Sequence, residues 1–223
     1  MSVYVISDIH GCNTNFRLAL KAVRLRKTDT LILLGDLIDR GNESKEVIDT
    51  VFLLEEHGFN IISIIGNHEE MLLNSLDDFT NQVNWLRNGG DKTLESFSTS
   101  EISRIPKEYI DYLKSMKTYH TWDKYIFVHA GINMLDPNPF EDEKSLLWLR
   151  DWKKLYDKDW LGDRIVIHGH TPTTREAIET QFKEKQNVLC IDNGAFMSKE
   201  NYGSICILKL DDLSLKFVRD GSN

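Results

Sequence analysis

Five short apolar runs in this chain each end abruptly in a turn rich in Asp, Asn, His and Gly, and that recurrence constrains the fold more than any other feature. Residues 3–6 run into Asp8-Ile9-His10-Gly11, and residues 31–34 into Gly35-Asp36 with Asp39-Arg40-Gly41 just beyond. Residues 61–65 lead to Gly66-Asn67-His68-Glu69, residues 125–128 to His129-Ala130-Gly131, and residues 164–167 to His168-Gly169-His170-Thr171. Between the first three runs the apolar spacing turns helical. Phe16, Ala19, Leu20 and Val23 predict a helix over 14–26 capped by Asn13 or Thr14, and Val47, Val51 and Leu54 predict another over 43–56. Strand, polar loop and helix in alternation imply an α/β architecture with parallel pairing, which sets the loops after the strand C-termini along one sheet edge.

Residues 69–118 read as mostly helical. Beyond them the chain turns to short strands at 188–191, 204–210 and 214–218 as well as the two already named, the last pair joined by Asp211-Asp212-Leu213 as a hairpin. Residues 133–163 are less regular and carry Trp148, Trp152, Tyr156 and Trp160, either as a wall for substrate or as packing against the sheet. Only four prolines occur and no Gly/Ser linker interrupts the chain, so residues 1–223 are expected to form a single domain.

Charge and composition exclude several classes of partner. The 27 Lys and Arg against 35 Asp and Glu leave a net charge of −8, where a protein that neutralises nucleic-acid phosphates gathers a basic excess. Non-specific nucleic-acid binding is therefore not expected. No run of about 18 apolar residues is present and the N-terminus meets Asp8 and His10 too early for a signal-peptide core, so a cytoplasmic, complete chain without membrane association is expected. Cys12, Cys190 and Cys206 are odd in number and far apart, which points to reduced thiols rather than disulfides or a thiolate zinc site.

Five of the seven histidines lie in the polar turns. One histidine at a strand end is ordinarily a structural hydrogen-bonder; carboxylate, imidazole and amide oxygen recurring together without thiolate suit manganese, iron or zinc. Six such candidates exceed one tetrahedral site, and a bridging carboxylate can serve two ions about 3.5–4 Å apart, the arrangement that activates water and clamps a phosphoryl group.

The set SDIHG, GDLIDRG, GNHE, HAG and GHT, with NWLRNGG, LWLRD and IDNGA, resembles the metallophosphoesterases of the phosphoprotein phosphatase type, and is similar to the bacterial and phage lambda serine/threonine phosphatases. The resemblance covers residues 3 to about 197 and implies two central mixed β-sheets sandwiched between helices. It implies Asp8 and His10 on a first metal, Asp36 bridging, and Asn67, His129 and His170 on a second. Both ions are divalent, manganese foremost, with iron or zinc as alternatives. It implies His68 as general acid held by Asp39, and Arg40, Arg150 and Asn67 as substrate-binding groups. Ser7 departs from the family's usual glycine, and His168 is not a family ligand.

The activity so implied is hydrolysis of phosphoserine or phosphothreonine in proteins, or of small phosphomonoesters, by a hydroxide bridging the two metals. Relatives with the same motifs hydrolyse diadenosine tetraphosphate symmetrically, and some keep the fold only as a non-catalytic binding module; the full set of ligands and both arginines speak against the latter. Cys12 reads as a small apolar filler, Asn88-Gly89-Gly90 as a loop near the site, and Asp192-Asn193-Gly194 as a strand end that supports a histidine.

Overall fold

A strand covered on both faces has no solvent side to keep polar, which is why the first two strands read as unbroken apolar runs. In the computed structural model, which describes residues 1–221, β1 (Val3–Ile6) and β2 (Thr30–Leu33) are buried at every position, while β3 (Asn60–Ser63) at the sheet edge is partly exposed. Helices α1 (Asn13–Val23) and α2 (Ser44–Glu56) make the two crossovers. Then follow α3 (Asn67–Asn74), α4 (Phe79–Trp85), a turn at Leu86–Gly90 kinked at Gly89, α5 (Asp91–Ser96) and α6 (Lys107–Ser115).

The second half holds β4 (Tyr119–Trp122), β5 (Tyr125–Val128), α7 (Glu143–Trp148), α8 (Lys158–Leu161) and β6 (Ile165–His168). It ends with α9 (Arg175–Lys183), β7 (Val188–Cys190), β8 (Ile205–Lys209) and β9 (Ser214–Val218). Two mixed sheets result, ordered β3-β2-β1-β8-β9 and β4-β5-β6-β7. β1, β2 and β3 pair in parallel, as do β5, β6 and β7.

Side-chain alternation assigns the layers. Val5, Ile32 and Leu208 of the first sheet share a cluster with Phe127, Ile167 and Leu189 of the second, so the sheets pack face to face. Tyr4, Ile6, Leu31 and Leu33 point the other way, onto Phe16, Val47 and Val51 of α1 and α2. Ile126, Val128 and Val166 cover the outer face of the second sheet with Leu146 and Leu161 of α7 and α8. Ile6 stands opposite Leu33 and Leu33 opposite Ser63, while His168 stands opposite Cys190, so each sheet's parallel strands deliver their following loops side by side.

Three expectations are corrected. Helix α1 ends at Val23 with Arg24 left-handed, and its N-cap is Cys12, with no side-chain cap bond. Glu43 of the next loop takes over that role, accepting from the Thr14 N–H (3.0 Å) and hydroxyl (2.9 Å). Strand β4 was not anticipated because as a half-exposed edge it lacks a clean apolar run. Helix α9 was missed because only Ile178 is buried along it.

Asp29, 2% exposed, ties the start of β2 to the N-terminus by accepting from the backbone N–H of Ser2 (2.8 Å) and Arg26 (3.1 Å). Burial opposes its charge, yet these two bonds and the Arg26 guanidinium hold its carboxyl below the usual range. A depressed native value gives stability that is present above the unfolded pKa and lost as pH falls through the native one. Asp29→Asn is expected to cost about 1 kcal/mol at pH 7, with the deficit closing as pH falls below the ordinary carboxylate range, as read from urea midpoints across pH.

Candidate metal and phosphate site

One buried carboxylate joins the loops after β2 and β3. Glu69, fully buried in the first turn of α3, accepts from the backbone N–H of Asp36 (2.9 Å), Leu37 (2.8 Å), Ile38 (3.3 Å) and Gly66 (2.8 Å). The sequence motif contained Glu69 without indicating this role; the signal was an acidic residue three places after a helix-opening glycine, positioned to reach back. The loop after β1 is bound to the same frame, because Ile9 and His10 both donate to the Asp36 carbonyl (2.9 and 2.8 Å). A Cβ at Gly66 would collide with the Asp36 side chain and backbone, so this position admits only glycine.

Within that frame Asp36 turns its two oxygens to different partners. Its Oδ2 lies 3.4 Å from His10 Nε2 and its Oδ1 lies 3.5 Å from His129 Nε2. His10 donates Nδ1–H to the Ile38 carbonyl (3.0 Å), and His129 donates Nδ1–H to that of Leu34 (2.7 Å), so both rings present an Nε2 lone pair. His129 Nε2, His170 Nδ1 and Asn67 Oδ1 converge within 2.8–3.1 Å of one another. A cation set among them would satisfy all three at once. Two groups meet that description, His10 with Asp36 and His68, and Asp36 with His129 and His170, each with ligand atoms within 4.8 Å.

The electrostatics agree. Burial, reinforced by neighbouring His68 and Arg40, lowers the pKa of His10, and burial with His129 takes His170 down to about 2, so both imidazoles are neutral, the form that can act as a ligand. Burial pushes the Asp36 carboxyl up, with Asp8 and Glu69 adding to the effect against His68, as for a carboxylate awaiting a counter-charge. The donor set therefore fits two divalent ions. Asp8 is the one candidate ligand turned aside: both its oxygens accept from the His170 backbone N–H at 3.0 Å, across space left by Gly169.

His68 Nδ1 lies 2.7 Å from Asp39 Oδ2, both side chains buried. Burial opposes the imidazolium, but the Asp36 and Asp39 carboxylates outweigh it and raise the His68 pKa. Asp39 thus pairs with histidine, and Arg40 turns away to donate from Nη1 to His10 Nε2 (2.9 Å), its guanidinium 4.6 Å over the Phe196 ring. Arg150 lies on the opposite flank, donating to the His170 carbonyl at 3.4 Å. Beside Arg40 opens a cleft of about 550 Å³ that Phe196 and Arg219 also line. Beside Arg150 opens one of about 540 Å³ reaching Trp152 and Gln181.

The remaining sequence expectations divide. His168 is buried and donates Nδ1–H to Gly169 O (3.0 Å), outside both ligand groups. The Cys12 thiol is pushed up to about 12 by burial and then by Glu43, an inert filler. Trp148 stands at the site, donating to Glu70 (2.6 Å) with its ring 6.4 Å from His170, whereas Trp152 and Trp160 pack on the core under β5 and β6. Asp192 accepts from Gly194 N–H (2.7 Å) instead of supporting a histidine. Asn88-Gly89-Gly90 forms a kinked turn between α4 and α5, the turn being the commoner reading of such a sequence. Phe196 and Thr93 touch site residues and carried no sequence signal of it, whereas Trp85 lies in NWLRNGG, a motif that gave it no role.

Comparison with known proteins places these observations. Residues 1–196 match the family described as calcineurin-like phosphoesterase. Serine/threonine-protein phosphatase 1 of Salmonella typhimurium is 29% identical over 202 residues, covering 86% of each chain. The symmetrical bis(5'-nucleosyl)-tetraphosphatase of Nitrosomonas europaea is 30% identical over 133 residues, 59% of this chain; the match spans less than half, 45%, of that relative. A protein serine/threonine phosphatase from Saccharomyces cerevisiae superposes with a TM-score of 0.69 at 16% identity, covering all of this chain and 81% of that one.

Asp36→Asn is expected to lower bound metal at both groups, read as divalent-ion content by elemental analysis; undiminished content would assign the bridge elsewhere. Gly66→Ala is expected to cost about 2–4 kcal/mol in denaturant unfolding through the clash with Asp36.

Proposed function

Because this chain belongs to the calcineurin-like phosphoesterase family, we propose that it is a serine/threonine protein phosphatase acting on phosphomonoesters with two divalent ions, manganese foremost. It is a hydrolase of the metallophosphoesterase type, a family that uses divalent metals. In this reading residues 1–223 form one catalytic domain, His10 and Asp36 hold one ion together with Asp8, whose carboxylate turns from the His170 N–H to reach it, and Asp36, Asn67, His129 and His170 hold the other. When bound, the ions supply positive charge for the phosphoryl oxygens and lower the pKa of water to yield the nucleophile.

The observation that carries the reading is the buried His68–Asp39 pair, 2.7 Å apart and next to Asp36. The alkoxide of serine or threonine is a poor leaving group and needs a proton. His68, with its pKa raised, holds that proton on Nε2 while Nδ1–H is fixed on Asp39. Arg40 and Arg150 bind phosphate oxygens from opposite flanks, with the Asn67 amide between them, which positions the ester and balances charge developing on its equatorial oxygens. No side-chain nucleophile is required.

Relatedness across 86% of both chains supports the protein phosphatase reading over the tetraphosphatase one, which rests on 45% of that relative. The second reading, symmetrical hydrolysis of diadenosine tetraphosphate, draws on the cleft of about 540 Å³ beside Arg150, where Trp152, Gln181 and Gln186 could receive a nucleoside. Manganese-supplemented enzyme assayed side by side decides between them: faster turnover of phosphoserine and phosphothreonine peptides is expected, and preference for diadenosine tetraphosphate overturns the first reading. His68→Asn is expected to lower kcat on alkyl phosphates by about 100-fold or more and on p-nitrophenyl phosphate by under about tenfold, since nitrophenolate leaves without a proton. Equal losses would remove the general-acid role. Arg150→Ala is expected chiefly to raise KM for phosphomonoesters.

A further inference from the structure

We propose that Trp85 and Thr93 are positioning residues for the reaction: their side chains lock the Asp39 carboxylate in the orientation that aims the His68 imidazole at the leaving-group oxygen. The inference rests on the general-acid reading of His68.

Three side-chain donors converge on that one carboxylate. His68 Nδ1 reaches Oδ2 at 2.7 Å, Thr93 donates its hydroxyl to Oδ1 at 2.6 Å, and Trp85 Nε1–H bridges both oxygens at 2.9 and 3.1 Å. Trp85, Thr93 and Asp39 are all fully buried. Thr93 also accepts from the Asp39 backbone N–H at 3.0 Å, so one hydroxyl clasps the residue at both ends. A carboxylate held only by His68 could rotate about its terminal torsion and carry the ring with it; donors on both oxygens remove that freedom.

The donors come from one short stretch of chain. Trp85 closes α4, Thr93 lies in α5, and the turn Leu86–Gly90, kinked at left-handed Gly89, joins them. A side chain at Gly90 would overlap the Trp85 indole, so glycine there lets the indole reach Asp39. Gly89, at φ 104°, accepts from the Arg40 N–H at 3.2 Å. Residues 85–93 thus brace the general acid's partner and the adjacent phosphate-binding arginine together.

Thr93→Val keeps the shape and deletes the hydroxyl, leaving the Asp39 N–H its second acceptor, Ser44 Oγ, at 3.0 Å. Thr93→Ser restores the hydroxyl, and Trp85→Phe removes the indole donor independently. Each of Thr93→Val and Trp85→Phe is expected to lose about tenfold in kcat on an alkyl phosphate and under about twofold on p-nitrophenyl phosphate, with Thr93→Ser within about twofold of the parent. In magnesium-loaded protein, the downfield proton resonance of His68 Nδ1–H, identified by its loss in His68→Asn, is expected to move in Thr93→Val and return in Thr93→Ser. Equal losses on both substrates, no rescue by serine, or an unmoved resonance would overturn the proposal. If His68→Asn splits the two substrates and neither Thr93→Val nor Trp85→Phe does, the brace alone falls; if His68→Asn shows no split, the general-acid reading falls and the brace with it.

Discussion

The site depends on the Glu69 carboxylate more than on any other single interaction. Four backbone N–H groups from two loops end on it, and the residue is fully buried. A buried anion is costly unless its lone pairs are satisfied, and here backbone donors from Gly66 and the turn 36–38 satisfy them while His129 and His68 stand near. Burial still pushes the Glu69 carboxyl up against these partners, so part of the folding energy maintains the charge. What that expenditure secures is the relative placement of Asp36 and Asn67, on opposite sides of the Glu69 bridge.

The same bridge explains why the site tolerates an unusual backbone. His10, Asp36, Asp39, Arg40 and His170 all have left-handed φ between 47° and 71°. Each such residue costs on the order of 1 kcal/mol or more unless its surroundings over-determine it. Here the loops determine one another: Ile9 and His10 donate to Asp36, Gly11 donates to Leu37, and Gly41 donates back to His10. Left-handed turns right after a strand reverse the chain before the side chain is carried away, and this lets Asp, His and Arg project from the loops after β1, β2 and β6 into one volume.

How much of this was legible follows from where the information is stored. Strands β1, β2, β5 and β6 announce themselves because parallel strands between two covered faces are apolar throughout, and the polar turn after each is confined to a few residues. Strand β4, half exposed at an edge, and α9, resting on Ile178, hold too little of the core to leave a period in the sequence. The ligand candidates could be named from residue type and strand position, yet Asp8's turn onto the His170 backbone could not, because it depends on a contact across 162 residues. Trp85 and Thr93 escaped for a related reason: their roles are bonds to a side chain of another loop, and nothing in their own neighbourhood records the partner, whereas Glu69 shows locally only its reach back to Gly66 and not its bonds to residues 36–38.

The net charge of −8 looks at first unsuited to a protein that binds phosphate. Net charge governs association at long range, where screening over about 8–10 Å averages it, whereas binding at the site is decided by charges a few ångströms away. Near the site the anions are already committed: Asp39 to His68, Trp85 and Thr93, Glu69 to four backbone donors, and Asp8 to His170 N–H. Asp36, pushed up by its burial, faces imidazole rings on both sides, and Arg40 and Arg150 flank the opening without a carboxylate partner among the described ion pairs. Two divalent ions would add +4 to a pocket whose nearest uncommitted charges are guanidinium groups. The acidic exterior and a locally positive pocket are then complementary: a single phosphate on a small or peptide substrate can enter, while an extended polyanion meets repulsion over the rest of its length.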